Sequence, residues 1–332
     1  MNPVDSNITL IGSGSWATAL AKVVLENAPR ITWFIRDNET IAQFKQYSHN
    51  PGYMRGLEFD TSRINFTSDI NAAVRDADVL MMVVPSAFLQ DALIGLTEDI
   101  SGKFVVSGIK GLITESHMVI AEFFHTRYAV PYASIGVIAG PSHAEEVALE
   151  RLSYLTIACQ DETKANEFTR FIGCNYIRTA VSDDIWGTEY SSVIKNIIAI
   201  AAGIVNGLMY GDNFQAVLVA NAIQEIERFV TAVHPIGRDI KSSVYLGDLL
   251  VTAYSQFSRN RTFGTMIGKG YPVHTAQLEM HMVAEGYYAA KAIKEINDQY
   301  GIDMPICEAV YQILYNNRSP RKEISRLSEK LL

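Results

Sequence analysis

Short apolar runs alternate with amphipathic stretches over the first half of the chain. Ile8-Thr9-Leu10-Ile11 is strand-sized and stops at Gly12, Trp16–Leu25 has helical spacing, and Arg30–Ile35 offers a second strand. Val79–Val84 is apolar throughout and is ended by Pro85, the pattern of a strand covered on both faces. Phe104-Val105-Val106 and Ser134–Ile138 repeat the theme. Strands alternating with helices predict βαβ units and a mostly parallel sheet. After about Gly187 the pattern changes. Segments 189–209, 213–233, 245–257, 276–299 and 303–316 carry apolar residues three and four apart, with almost no period-two alternation. This half is expected to be mainly α-helical, with the boundary near Asp183–Thr188 and a solvated terminal helix in the polar stretch Asn316–Lys330.

At 332 residues the chain is long enough for about two domains, and a 48% hydrophobic content supplies an interior for each. The net charge of −8 argues against nucleic acid or an anionic membrane surface as a general partner, because the overall field repels phosphates. An anionic ligand must then be captured by a local pocket. Cys159, Cys174 and Cys307 are odd in number and widely spaced, which fits a reducing cytoplasm better than a disulfide framework. Met1–Asn7 lacks the basic and apolar regions of a secretory signal. The most apolar segment, Ile197–Val205, is too short to span a bilayer, so no stable membrane insertion is expected. The seven histidines form no H-E-x-x-H, no acidic cluster has metal-ligand spacing, and no metal is expected.

Gly12-Ser13-Gly14-Ser15-Trp16-Ala17 follows the first strand and opens the first helix. This is G-x-G-x-x-A, a variant of the dinucleotide fingerprint. Gly12 permits the tight turn, Gly14 lets the backbone approach a pyrophosphate, and Ala17 lets the helix pack on the sheet. Ser15 and Trp16 begin a helix whose N–H groups and partial positive charge face the phosphates. Residues 1–187 therefore read as a Rossmann-type dinucleotide-binding domain and residues 188–332 as a helical substrate-binding domain. At the end of the second strand Arg36 precedes Asp37, where an acidic residue would grip an NAD ribose or an arginine the NADP 2′-phosphate. A guanidinium that forks onto phosphate favours NADP, with NAD as the alternative; read alone, Arg36 is also consistent with a solvated strand-end charge.

Three further clusters stand where loops should meet the cofactor: Ser107-Gly108-Ile109-Lys110-Gly111, Gly140-Pro141-Ser142-His143-Ala144 and Ser258-Arg259-Asn260-Arg261. Lys195-Asn196 lies between them on the helix that opens the second half. With Gly12–Trp16, Val84-Pro85-Ser86, Glu189, Gly247-Asp248-Leu249 and Val283-Ala284-Glu285-Gly286, all in order along the chain, the sequence resembles the NAD(P)-dependent glycerol-3-phosphate dehydrogenases of the bacterial soluble type. The resemblance runs from about residue 7 to about residue 316. Two departures stand out: Ala17 where the family usually has glycine, and Ser242-Ser243-Val244-Tyr245-Leu246 where a glycine-rich stretch is common.

The resemblance implies interconversion of sn-glycerol 3-phosphate and dihydroxyacetone phosphate by hydride transfer with NADP or NAD, a role in phospholipid synthesis, and a homodimer. It makes Lys195 the base that takes the hydroxyl proton, and the acid in the reverse direction. A free lysine titrates near 10.4, so the role needs an apolar setting, here suggested by Ile194, Ile197 and Ile198, and a neighbouring cation, for which Lys110 is placed. Taken without these motifs, Lys195 would be a helix lysine snorkelling to water. Asp248 is implied as an orienting carboxylate, and by itself suits the N-cap of the helix that follows. Ser258, Arg259 and Asn260 are implied as the phosphate site, with the forked cation, hydroxyl and amide that a dianion needs. Gly140, Ser142 and Asn196 are implied to touch substrate. Lys110, Ala144, Arg259, Val283 and Glu285 are implied to border the cofactor. Ser142 lacks the G-x-S-x-G elbow of a hydrolase nucleophile, and His143 is given no role. The rival readings are a β-hydroxyacid or 6-phosphogluconate-type dehydrogenase and a non-catalytic dinucleotide sensor, which would have no need of Lys110, Lys195 and Asp248 together.

Overall fold

The computed structural model describes residues 1–280 and 284–331, which form two compact units. Met1–Ile109 with Met118–Ile185 make the first, and Lys110–His117 with Trp186–Leu332 the second. The chain thus enters the second unit early, at Lys110, and returns before continuing.

The first unit is built on eight strands among the described residues: β1 (Ile8–Ile11), β2 (Ile31–Phe34), β3 (Ile64–Thr67), β4 (Val79–Met82), β5 (Phe104–Ser107), β6 (Ile135–Ala139), β7 (Ser153–Ala158) and β8 (Ile177–Ser182). Their spatial order is β3-β2-β1-β4-β5-β6-β7-β8, with every neighbouring pair parallel except β6 and β7. The helices of this unit are α1 (Ser15–Asn27), α2 (Asn38–Tyr47), α3 (Ile70–Arg75), α4 (Leu89–Ala92), α5 (Ile120–Tyr128), α6 (Ala144–Ala148) and α7 (Glu162–Ile172). β1 and β4 are buried along their whole length, as continuous apolar runs in the middle of a parallel sheet should be. The chain order reverses at β1, between β2 and β4, the topological switch point beside which such sheets bind nucleotides.

The glycine turn after β1 is held from behind. Gly12 has φ +129°, and a Cβ there would lie 2.3 Å from the Val83 carbonyl oxygen, so no other residue fits. The buried indole of Trp33 donates to the Gly12 carbonyl at 2.7 Å and is itself wedged edge-on against Phe44 and Phe59. Asn50, almost fully buried, donates to the Ser13 carbonyl at 2.9 Å and to Thr18 Oγ1 at 2.8 Å. Its Oδ1 accepts from the Gly52 and Tyr53 amides, so all its capacity is used in bracing the turn.

The second unit is helical: α8 (Ile185–Gly207), α9 (Asp212–Val233), α10 (Asp248–Tyr254), α11 (Arg259–Gly268), α12 (Val273–Glu279), α13 (Glu285–Tyr300), α14 (Pro305–Tyr315) and α15 (Pro320–Ser328). The expected helix over 245–257 is instead a π-helical turn, Ser243–Gly247, running directly into α10, and the expected 276–299 is represented by α12 and α13. α8 is the one described helix long and apolar enough to cross a membrane, yet 89% of that stretch is buried inside the protein. Segment 110–117 is tied into this unit: Asn196 Nδ2 donates to the Lys110 carbonyl at 3.1 Å, and His117 Nδ1 lies 3.3 Å from Glu295 on α13.

Glu225 on α9 has no exposed surface, and its two carboxylate oxygens accept from the Ile306 and Cys307 amides at 2.9 and 2.8 Å. It caps the N-terminus of α14, where Pro305 has no amide to offer. Burial nevertheless raises its pKa to about 7 against those two bonds. The folded protein therefore holds this proton more tightly than the unfolded chain, whose carboxyl titrates near 4.5. Stability present below pH 4.5 is lost as pH rises through 7. Glu225→Gln cannot ionise. Its melting temperature relative to wild type should accordingly improve between pH 5 and pH 8, by the equivalent of roughly 2–3 kcal/mol. A pH-independent difference in thermal melts would refute the assignment.

Candidate active site

In the first unit the cofactor-binding candidates converge on the start of α1. Gly14 is its N-cap, with no side-chain cap hydrogen bond and no acidic residue in the first turn, so the partial positive charge of this helix end suits an anion. A Cβ built on Gly14 would meet nothing within 4 Å, so the turn is open at this residue. Ser15 is buried, and Trp16 packs its indole against Gly108. Ala17 is completely buried, so a methyl is accommodated where the family usually has glycine. At the end of β2, Asp37 accepts from the Glu39 and Thr40 amides as N-cap of α2. That carboxylate is turned into its own helix, while Arg36 next to it is exposed. A dinucleotide fits these residues.

The Gly140 loop closes on itself. Gly140 has φ +120°, and Ser142 Oγ donates to its carbonyl at 2.9 Å, buried. Ser142 therefore braces the loop in this structure. Ala144 begins α6 and belongs to the sheet unit's core.

In the second unit Lys195, Asp248 and Lys110 meet. Lys195 Nζ forms an ion pair with Asp248 Oδ2, and both side chains are almost fully buried, at 4% and 2% exposure. Of the two roles read for Asp248, orienting carboxylate and N-cap, the second is not taken up. The π-helical turn instead carries the helical path through Gly247, Asp248 becomes the first residue of α10, and its carboxylate faces Lys195. Thr252 Oγ1 donates back to the Asp248 carbonyl at 2.6 Å. Burial pulls the Lys195 pKa down to about 7; Asp248 opposes this and the Lys110 ammonium adds to it. A lysine so poised exchanges protons readily at neutral pH.

Asn196, the neighbour of Lys195, spends its amide donor on the Lys110 carbonyl and so holds the second lysine in place. Ser258 is the N-cap of α11, its Oγ accepting from the Arg261 amide at 3.3 Å. Arg259 follows as the first helical residue and is exposed. Asn260 is buried, and its Oδ1 accepts from the Gly286 amide at 2.9 Å, joining α11 to the start of α13. Glu285 is the first residue of α13. Val283 lies outside the described residues. Asn50 and Trp33, which brace the glycine turn from behind, carry no local sequence signature of their distant partners.

A turn built for a pyrophosphate and a buried lysine able to give or take a proton are together the equipment of a nicotinamide-dependent alcohol dehydrogenase. Similarity to known proteins narrows that class. The family model for the NAD-dependent glycerol-3-phosphate dehydrogenase N-terminus matches residues 7–165, and that for the C-terminus matches residues 184–325. Glycerol-3-phosphate dehydrogenase [NAD(P)+] of Exiguobacterium is 32% identical over 98% of this chain and 96% of its own length. The protein of the same description from Bacillus subtilis is 35% identical over 96% of this chain and 93% of its own. The crystal structure of glycerol-3-phosphate dehydrogenase from Coxiella burnetii superposes with a TM-score of 0.90 at 26% identity, over 98% of this chain and 99% of that one. The chain belongs to the NAD-dependent glycerol-3-phosphate dehydrogenase family.

Proposed function

We propose that this chain interconverts sn-glycerol 3-phosphate and dihydroxyacetone phosphate with NADP or NAD, supplying glycerol 3-phosphate for phospholipid synthesis in the cytoplasm. The observation that carries the reading is the buried Lys195–Asp248 pair with Lys110 beside it. The bound nicotinamide supplies or accepts the hydride. When the ketone is reduced, Lys195 donates a proton to the oxygen that becomes the 2-hydroxyl; in the oxidative direction its neutral amine removes that proton. Asp248 holds the ammonium and Lys110 draws charge towards the carbonyl oxygen. Arg259 and the leading amides of α11 receive the phosphate dianion, with Ser258 fixing that helix end. Asn196 and Asn260 act mainly by holding Lys110 and α13 in position. Residues 1–187 carry the cofactor; residues 188–332, with Lys110–His117, carry the chemistry. The natural assembly is a homodimer, which light scattering would test.

Mixing the protein with NADPH and dihydroxyacetone phosphate should consume NADPH, and the ketone without phosphate should react far more slowly. No oxidation of NADPH would favour the sensor reading, and oxidation driven only by a hydroxyacid substrate the β-hydroxyacid one. The preference for NADP rests on Arg36, since Asp37 is occupied as a cap. Arg36→Ala should raise KM for NADPH about tenfold or more and leave KM for NADH within about twofold. Equal changes for the two cofactors would make Arg36 a solvated charge.

A further inference from the structure

α8 and α11 cross with no side chain between their backbones. A Cβ on Gly264 would lie 2.1 Å from the Ile200 carbonyl oxygen, one on Gly203 2.1 Å from that of Arg261, and one on Gly268 2.4 Å from that of Ile204. Gly207 is pressed in the same way, 2.5 Å from the Thr265 oxygen. These obstacles are backbone atoms, which cannot rotate away, so the crossing distance is fixed by glycine alone. The contacts also set direction and register. Ile200 meets Gly264 and Ile204 meets Gly268, while Gly203 meets Arg261 and Gly207 meets Thr265, so the two helices run parallel with Gly207 abreast of Gly268. Continued back from there, the start of α11 at Arg259 comes abreast of Ile198, within about one helical turn of Lys195 and Asn196. An independent contact agrees: Asn260 Oδ1 accepts from the Gly286 amide, and a Cβ on Gly286 would lie 2.5 Å from the Asn196 oxygen.

The proton-transfer lysine and the N-terminus of α11 therefore lie within about one helical turn of each other along a helix pair whose separation cannot relax. Dihydroxyacetone phosphate has a single carbon between the reacting carbonyl carbon and the phosphate ester oxygen. We propose that Gly264, supported by its neighbours in this crossing, is a specificity-determining residue that sets the span between Lys195 and the phosphate site, and so selects a three-carbon over a four-carbon ketose phosphate. The inference deepens the functional reading above and rests on it. Gly264 touches no substrate; it acts through the position of α11.

The test is NADPH-dependent reduction of dihydroxyacetone phosphate and of the four-carbon 2-ketose 4-phosphate by wild type, Gly264→Ala and Gly268→Ala. In Gly264→Ala, kcat/KM for the three-carbon substrate should fall about ten- to a hundredfold, chiefly through KM. The four-carbon to three-carbon ratio should rise at least about tenfold, the discrimination one carbon commands. Gly268→Ala inserts the same methyl farther along α11 from Arg259 and should lower the melting temperature with the ratio within about twofold of wild type. If Gly264→Ala fails to fold, Asn260→Ala loosens the same end of α11 without inserting an atom, and the ratio should rise about threefold. An unchanged ratio in a folded variant, an equal rise in Gly268→Ala, or loss of both substrates with NADPH binding intact would overturn the inference. Wild type inactive on dihydroxyacetone phosphate would overturn the functional reading and this inference with it; wild-type activity with an unmoved ratio overturns this one alone.

Discussion

Lys195→Ala should lower kcat for dihydroxyacetone phosphate reduction by ~10²–10⁴-fold while NADPH affinity, measured by fluorescence titration, stays within about threefold. The two outcomes separate because Lys195 lies in the helical unit and the glycine turn in the sheet unit. A kcat within threefold of wild type would remove Lys195 from the reaction. The pH profile carries the same argument with a sign. Lys195 titrates at about 7, so oxidation of glycerol 3-phosphate, which needs the neutral amine, should rise through that pH. Reduction of the ketone needs the ammonium and should fall above it. Asp248 favours the charged form and Lys110 disfavours it. Asp248→Asn should therefore move both profiles to lower pH and Lys110→Met to higher pH. Shifts in one common direction would mean that the two neighbours do not act on Lys195 through charge.

The elements that the sequence displayed were those whose environment matches their own pattern. β1 and β4 sit in the middle of the sheet and are apolar from end to end. The glycine turn was legible because Gly12 must adopt a conformation open to little else. β3, β7 and β8 were not discerned: β3 and β8 are the two sheet edges, where one side is unpaired and residues such as Asn65 and Arg178 face solvent, and β7, antiparallel to β6, carries an exposed Tyr154. The early passage of Lys110–His117 into the helical unit had no local marker either. It follows from contacts with Asn196 and Glu295, which lie far along the chain.

The candidate chemistry divides in the same way. Residue types and family order pointed to Lys195, Lys110 and Asp248, but only the fold distinguishes a cap from an ion-pair partner at Asp248. The deciding feature is the π-helical turn Ser243–Gly247, formed largely by the non-glycine stretch Ser242–Leu246, which continues the helix past the position where a cap would stand. Such one-turn widenings recur at functional sites because they re-aim the residues that follow. Asn260 is a different case: its Oδ1 accepts from the Gly286 amide, a bond that does not engage the Nδ2 donors a phosphate would use. The exposed donor at that helix end is Arg259.

Arg259→Lys is accordingly the sharpest test of the phosphate site. The substitution keeps the charge and the first position of α11, so electrostatic attraction to the helix end survives. What it removes is the planar fork, which a single ammonium cannot reproduce on a phosphate. The missing bonds to a charged group should be worth roughly 1.5–3 kcal/mol, or about ten- to a hundredfold in kcat/KM. The loss should be confined to phosphorylated substrate, because unphosphorylated dihydroxyacetone never used the fork and its residual rate should stay nearly constant. NADPH affinity, titrated separately, should move little. An equal fall with both ketones would make Arg259 a structural or cofactor residue. The phosphate site would then have to be sought among the other donors, and of the two next candidates Lys110 comes before Ser142, whose hydroxyl already donates to the Gly140 carbonyl.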